Sequence, residues 1–201
     1  AIIIDGDLED WSKYFEYVFQ DTMTFLHQAG EHQIMIYYDE EFDYSKTLFP
    51  LSKNSIESRV CWDLDYIYFA FRVKDEHLYA EIPSDASYPE FHLNDAVEIY
   101  IDSKNDSESK MDINDYQFIV DIKNNSVVLK GDRKYIESDT MAAPKDIGQN
   151  DYYEYAAVYS GSVNNDKDTD QGYTIEVAIP FIAIGTQPET GKKIKLDLCI
   201  D

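Results

Sequence analysis

Between Arg59 and the last residue, apolar and polar side chains alternate in short runs, each broken by polar turn residues. R-V-C-W-D-L-D-Y-I-Y-F-A-F-R-V-K-D from Arg59 predicts two strands around an Asp-Leu-Asp-Tyr turn. On the second, Ile67, Phe69, Phe71 and Val73 share one face, and Tyr68, Ala70 and Arg72 the other. In F-H-L-N-D-A-V-E-I-Y-I-D, starting at Phe91, Val97, Ile99 and Ile101 oppose Ala96, Glu98 and Tyr100. Tyr116, Phe118 and Val120 oppose Gln117 and Ile119 in the next run, and a short V-V-L-K and a weakly alternating Y-Y-E-Y-A-A-V-Y follow. G-Y-T-I-E-V-A-I-P-F turns Tyr173, Ile175, Val177 and Ile179 inward and ends at Pro180. Ile194, Leu196, Leu198 and Ile200 line one side of the closing run. Near the start, Ile2–Ile4 reads as a short strand ending in an Asp-Gly turn, with Asp7 or Asp10 capping a helical turn. Residues 20–58 have no clean period and read as an irregular insertion. Trp11 and Trp62 read as core, the latter sharing a face with Val60 and Leu64.

Eight or more strands with almost no helical period predict an all-β fold. It is an antiparallel β-sandwich of jelly-roll or immunoglobulin-like type, one domain spanning residues 1–201. With the apolar faces in the core, the opposite faces carry Arg72, Glu98, Tyr100, Gln117, Thr174, Glu176 and Asp197. Carboxylate, amide, hydroxyl and aromatic groups together are what a sugar needs: partners for hydroxyls and a flat apolar surface.

Charge removes several partners. With 17 basic and 40 acidic side chains the net charge is −23, a surface that repels nucleic-acid phosphates and anionic membranes. No apolar run is long enough to span a bilayer. The acidity serves solubility, or in part a hard cation such as calcium, which takes six to eight oxygens. One loop offers Asp102, Asn105, Asp106, Asp112, Asn114 and Asp115; a second offers Asn164, Asn165, Asp166, Asp168 and Asp170; Asp5, Asp75 and Asp95 are weaker candidates. Neither loop has EF-hand spacing. Cys61 and Cys199 lie in apolar strand patterns outside any C-x-x-C motif, as buried free thiols or one long-range disulfide. No nucleophile elbow, zinc-protease motif or phosphate loop occurs, so no catalysis is expected. The abrupt ends suggest a piece of a longer protein.

Taken in order, I-D-G-D-L-E-D-W, W-D-L-D-Y-I-Y-F-A-F-R-V-K-D, L-N-D-A-V-E-I-Y-I-D, N-D-Y-Q-F-I-V and G-Y-T-I-E-V-A-I-P-F resemble the family 9 carbohydrate-binding modules. The resemblance implies a β-sandwich with structural calcium. It implies binding of polysaccharide or oligosaccharide, at chain ends in well-understood members, without chemistry. It also implies an extracellular or cell-surface setting beside other modules of a polysaccharide-degrading protein. The family's strand Glu matches Glu98. Its sandwiching Trp, six residues earlier, is His92 here; its Arg after the Q-F pair is Ile119; its late Asn falls at about Asp201. Phe91 is a substitute platform and Arg72 a substitute cation, and Tyr100 and Gln117 complete the sugar-binding set. Asp102, Asn105, Asp106 and Asp115 are the expected calcium ligands. The alternative is a sandwich without sugar binding, serving as a structural or interaction module of a larger extracellular protein.

Overall fold

The computed structural model describes residues 2–13, 55–84, 90–106, 111–131 and 153–201. Eight strands occur among them: β1 (Ser55–Trp62), β2 (Tyr66–Lys74), β3 (Ala96–Asp102), β4 (Asp115–Asp121), β5 (Ser126–Lys130), β6 (Glu154–Ser160), β7 (Gly172–Pro180) and β8 (Lys195–Ile200). They form two antiparallel four-stranded sheets, ordered β1-β2-β7-β6 and β5-β4-β3-β8. The period of two sets the interior. Ile67, Phe69, Phe71 and Val73 of β2 and Tyr173, Ile175, Val177 and Ile179 of β7 meet Val97, Ile99 and Ile101 of β3 and Tyr116, Phe118 and Val120 of β4. Ile194, Leu196, Leu198 and Ile200 pack on this core, half-buried, as the sequence pattern predicts.

The first strand begins at Ser55, so the carboxyl-terminal end of the expected insertion is sheet; the rest of residues 20–58 lies outside the described residues. Ile2–Ile4 is not a strand. It leads into a strap over the outer face of the first sheet. Leu8 and Trp11 pack there on Ala70 of β2, with Ile2, Cys61 and Tyr68 at the margin. Glu176 of β7, directly opposite Ala70, holds the strap down. Its Oε2 accepts from the Asp5 and Gly6 amides at 3.0 and 2.6 Å, and its Oε1 from Trp11 Nε1 at 2.6 Å. Gly6 has φ +84, and a Cβ there would come within 2.5 Å of Val158, so the tight approach requires glycine. Glu176, read from parity as an outward polar residue, is therefore fully buried.

Trp62 departs from the core reading. It has inward parity opposite Ile67, but it ends an edge strand and stays 63% exposed. Both cysteines are free and only partly buried. Cys61 lies on the outer face of the first sheet and Cys199 on that of the second, opposite Glu98, so the sandwich separates them.

Candidate functional site

The outer face of the second sheet carries the chemistry. Cross-strand register places Glu98 between Ile119 of β4 and Cys199 of β8, and Tyr100 between Gln117 and Asp197. Three side chains close a triangle. Tyr100 Oη donates to Glu98 Oε2 at 2.5 Å, and Gln117 Nε2 donates to the same oxygen at 3.0 Å and to Tyr100 Oη at 2.8 Å. Glu98 and Gln117 are buried, and Tyr100 is half-buried. Asp201 continues the face beyond Cys199, its amide donating to the Ala96 carbonyl at 3.1 Å. Glu98, Tyr100, Gln117 and Asp201 are thus brought to one surface.

A short 3₁₀ turn, Phe91–Leu93, forms the rim. Phe91 is buried against Ala96, Ile119 and Val127, so its ring is a packing residue and not an open platform. Ile119 explains this: an apolar side chain in that place gives Phe91 a surface to cover. His92 and Leu93 on the same turn are exposed. Asn94 anchors the turn from below. Its Oδ1 accepts from the Ile82 amide at 2.9 Å, and its Nδ2 donates to the Ile82 carbonyl at 3.2 Å and to Asp121 Oδ2 at 2.7 Å. Asp121 also takes the Lys123 and Asn125 amides, at 2.9 and 2.8 Å. Asn94 and Asp121 position the rim without reaching the surface, a role that spans two distant segments and is invisible in the sequence.

Arg72 is not brought to Glu98. Parity alone gave them equivalent faces, but Arg72 belongs to the other sheet and points away from the opposite side of the sandwich. Arg72 Nη1 donates to Glu57 Oε2 at 3.2 Å.

Among the described residues, no three His, Cys, Asp or Glu side chains form a group able to hold a metal ion. The loop after β3 uses its carboxylates locally. Asp102 Oδ1 accepts from the Lys104 and Asn105 amides at 3.1 and 2.5 Å, and Asp115 Oδ2 from the Asp112 amide at 2.6 Å. Burial raises the Asp115 pKa, and the charges of Asp102, Asp112 and Asp106 add to the rise. Asp170 likewise accepts from the Leu78 and Ser162 amides, each at 2.7 Å.

Asp95 is the strongest titration handle. Burial pushes its pKa up to about 7 against the Tyr79 amide it accepts, and Asp75 and Asp170 nearby add to the rise. The buried Tyr173 hydroxyl is raised by burial and by Asp95 and Asp75 in turn. A carboxyl raised in the folded state binds its proton more tightly there than when unfolded. Its contribution to stability is full below about pH 4 and is lost as pH rises through 7. With chelator present, the melting temperature is expected to be about 4 °C or more higher at pH 5 than at pH 8. Relief of the general negative charge acts in the same direction, so Asp95→Asn is the discriminating variant. It is expected to flatten the profile, and an unchanged slope would assign the effect elsewhere.

A model of the carbohydrate family 9 binding domain-like family matches residues 44–201. Two solved structures of a family 9 carbohydrate-binding module from Caldicellulosiruptor kristjanssonii, one in complex with cellotriose and one with glucose, share the fold. Each aligns over 100% of this chain at 15% identity and a TM-score of 0.56, covering 72% and 73% of the other chain. No curated protein matches the chain. With the family model covering most of the sequence and the two-sheet fold in agreement, the chain belongs to carbohydrate-binding module family 9, whose members bind carbohydrate without catalysing a reaction.

Proposed function

We propose that this domain binds polysaccharide or oligosaccharide chains on the outer face of the second sheet, around Glu98, Tyr100, Gln117 and Asp201. The observation that carries the reading is the Glu98–Tyr100–Gln117 triangle, two of its members buried and Tyr100 half-buried. A carboxylate and an amide are locked in one geometry on a face that the sheet itself makes rigid, so little ordering entropy remains to be lost on binding. The cellotriose and glucose complexes of structurally similar modules support the choice of ligand class. His92, exposed at the rim, would in this reading lie against a sugar ring, with less area than a tryptophan would offer. Recognition of chain ends, an extracellular or cell-surface setting and companion modules in the same polypeptide belong to the same reading. Calorimetric titration with glucan, xylan and mannan oligosaccharides tests it. Binding to at least one is expected, and binding to none would favour a purely structural module.

Calcium is the second part of the proposal, with Asp102, Asn105, Asp106 and Asp115 as ligands. The charges of Asp102, Asp112 and Asp106, which add to the rise that burial gives the Asp115 pKa, are the supporting observation, because a divalent cation would relieve that repulsion. The carboxylates are engaged with loop amides as placed, so the ion would draw the loop around itself. At a calcium concentration about 100 times Kd, the gain is about 2.7 kcal/mol. The expected result is a melting temperature that falls on chelation and recovers with added calcium, with Asp115→Asn reducing the difference. A melting curve indifferent to chelator would remove calcium from the account.

A further inference from the structure

The segment that leaves β2 toward the rim turn is not a strand, yet its backbone is held as firmly as one. Every N–H and C=O of Leu78, Tyr79 and Ala80 is bonded, mostly by side chains from other loops. The Leu78 amide donates to Asp170 Oδ2 at 2.7 Å, and its carbonyl accepts from the Asn164 amide at 2.7 Å. Ala80 exchanges bonds with the Asn164 side-chain amide at 2.8 and 3.0 Å. The Tyr79 amide donates to Asp95 Oδ2 at 2.7 Å, and its carbonyl accepts from the Asp95 amide at 2.7 Å. Leu78 and Ala80 belong to the main core, while Ile82 packs against Phe91 and Ala96 on the outer face of the second sheet. The segment therefore rounds the Ala96 end of that sheet, from the interior to the face that carries Glu98.

Between buried Leu78 and Ala80, alternation turns Tyr79 outward. Tyr79 is 46% exposed, and on the rim turn Leu93 is 51% exposed with His92 beside it. The Tyr79 hydroxyl is hydrogen-bonded to the exposed Glu81 carboxylate. A single exposed apolar residue is ordinary. This one has a fixed backbone and a tethered hydroxyl, so ordering its ring against a ligand costs little entropy. Among the described residues the Glu98 face has no open aromatic ring of its own, since Phe91 is buried and Tyr100 half-buried. From Asp95, the partner of Tyr79, to Glu98 is about 10 Å along the extended chain. One monosaccharide does not cover that span, and a short oligosaccharide does.

We propose that Tyr79 is a second sugar-contacting position, an aromatic platform for the rings of an oligosaccharide that leave the Glu98 face past His92. The apolar face of a pyranose would lie on the tyrosine ring, and the Glu81 carboxylate beside it would accept from the sugar hydroxyls. Such a contact rewards chain length, because only a ligand longer than one ring reaches Glu98 and Tyr79 together. The inference rests on the reading that the Glu98 face binds saccharide.

Calorimetric titration of the full chain with glucose, xylose and mannose, and with their β-1,4-linked tetramers, tests it. At least one tetramer is expected to bind about tenfold or more tightly than its monosaccharide. Tyr79→Ala is expected to remove most of that gain, with the melting temperature moving by about 2 °C or less because the side chain is exposed. Tyr79→Phe keeps the ring and is expected to hold the tetramer affinity within about threefold of the original. Glu98→Ala is expected to weaken both lengths. Tetramer affinity unchanged by Tyr79→Ala would overturn the inference and leave saccharide binding standing. So would a loss as large for the monosaccharide as for the tetramer, which would make Tyr79 a support of the rim, or a loss as large in Tyr79→Phe, which would assign the effect to the hydroxyl. Failure of every tetramer to bind the unchanged chain would overturn the saccharide reading itself.

Discussion

Glu176→Ala is expected to release the amino-terminal strap and lower stability by about 3–5 kcal/mol. Among the described residues, the carboxylate accepts from three strap donors: the Asp5 and Gly6 amides and the Trp11 indole. Removing it orphans each donor, and a buried donor without a partner costs about 1–3 kcal/mol. The three losses share one cause and are not fully additive. Leu8 and Trp11 would then lose their purchase on Ala70 and expose apolar area as well. Denaturant unfolding measures the cost. Tryptophan fluorescence reports the strap, because Trp11 is 1% exposed and Trp62 already 63%. A red shift in the native spectrum is expected from Trp11 alone. Glu176→Gln keeps one acceptor oxygen and is expected to fall between the two. A stability loss under about 1 kcal/mol would show that the strap is held by packing and not by the carboxylate.

Glu98→Ala is expected to weaken saccharide binding by about 2–3 kcal/mol, or roughly 30- to 150-fold, with a stability change of about 1 kcal/mol or less. The split follows from the triangle. Gln117 Nε2 and Tyr100 Oη still bond each other at 2.8 Å when the carboxylate is gone, so the sheet keeps much of its internal satisfaction. The ligand loses the charged acceptor that the other two side chains hold in place. Parallel calorimetry and melting separate the outcomes. Affinity and stability falling together by similar amounts would make Glu98 a structural residue. Affinity unchanged would place the sugar elsewhere on the molecule.

Several elements were legible before any coordinates. Val97, Ile99 and Ile101 face inward because the side-chain period of a strand is two, a local rule that needs no partner. The same rule put Glu98, Tyr100 and Gln117 on outward faces, and the order of motifs carried the family. The limits of parity show at Arg72, Glu176 and Trp62. Parity tells which side of its own sheet a residue occupies, but not which sheet that is. Arg72 and Glu98 are both outward and lie on opposite sides of the sandwich. Glu176 is outward on its strand, yet a segment some 170 residues distant in sequence covers it. Trp62 is inward, yet it ends an edge strand and, among the described residues, stays 63% exposed.

By itself, then, the sequence determined the strands, their two faces, the acidity of the surface and the likeness to a carbohydrate-binding family. Each of these is local or compositional: period two comes from the backbone, and net charge from a count. The tertiary structure decided which polar residues meet. Pairing β3 with β4 and β8 brought Glu98, Tyr100, Gln117 and Asp201 to one face and tied the first three into one hydrogen-bonded group. Register between strands depends on hydrogen bonds and packing across the whole sheet, so no single run of residues could have announced it.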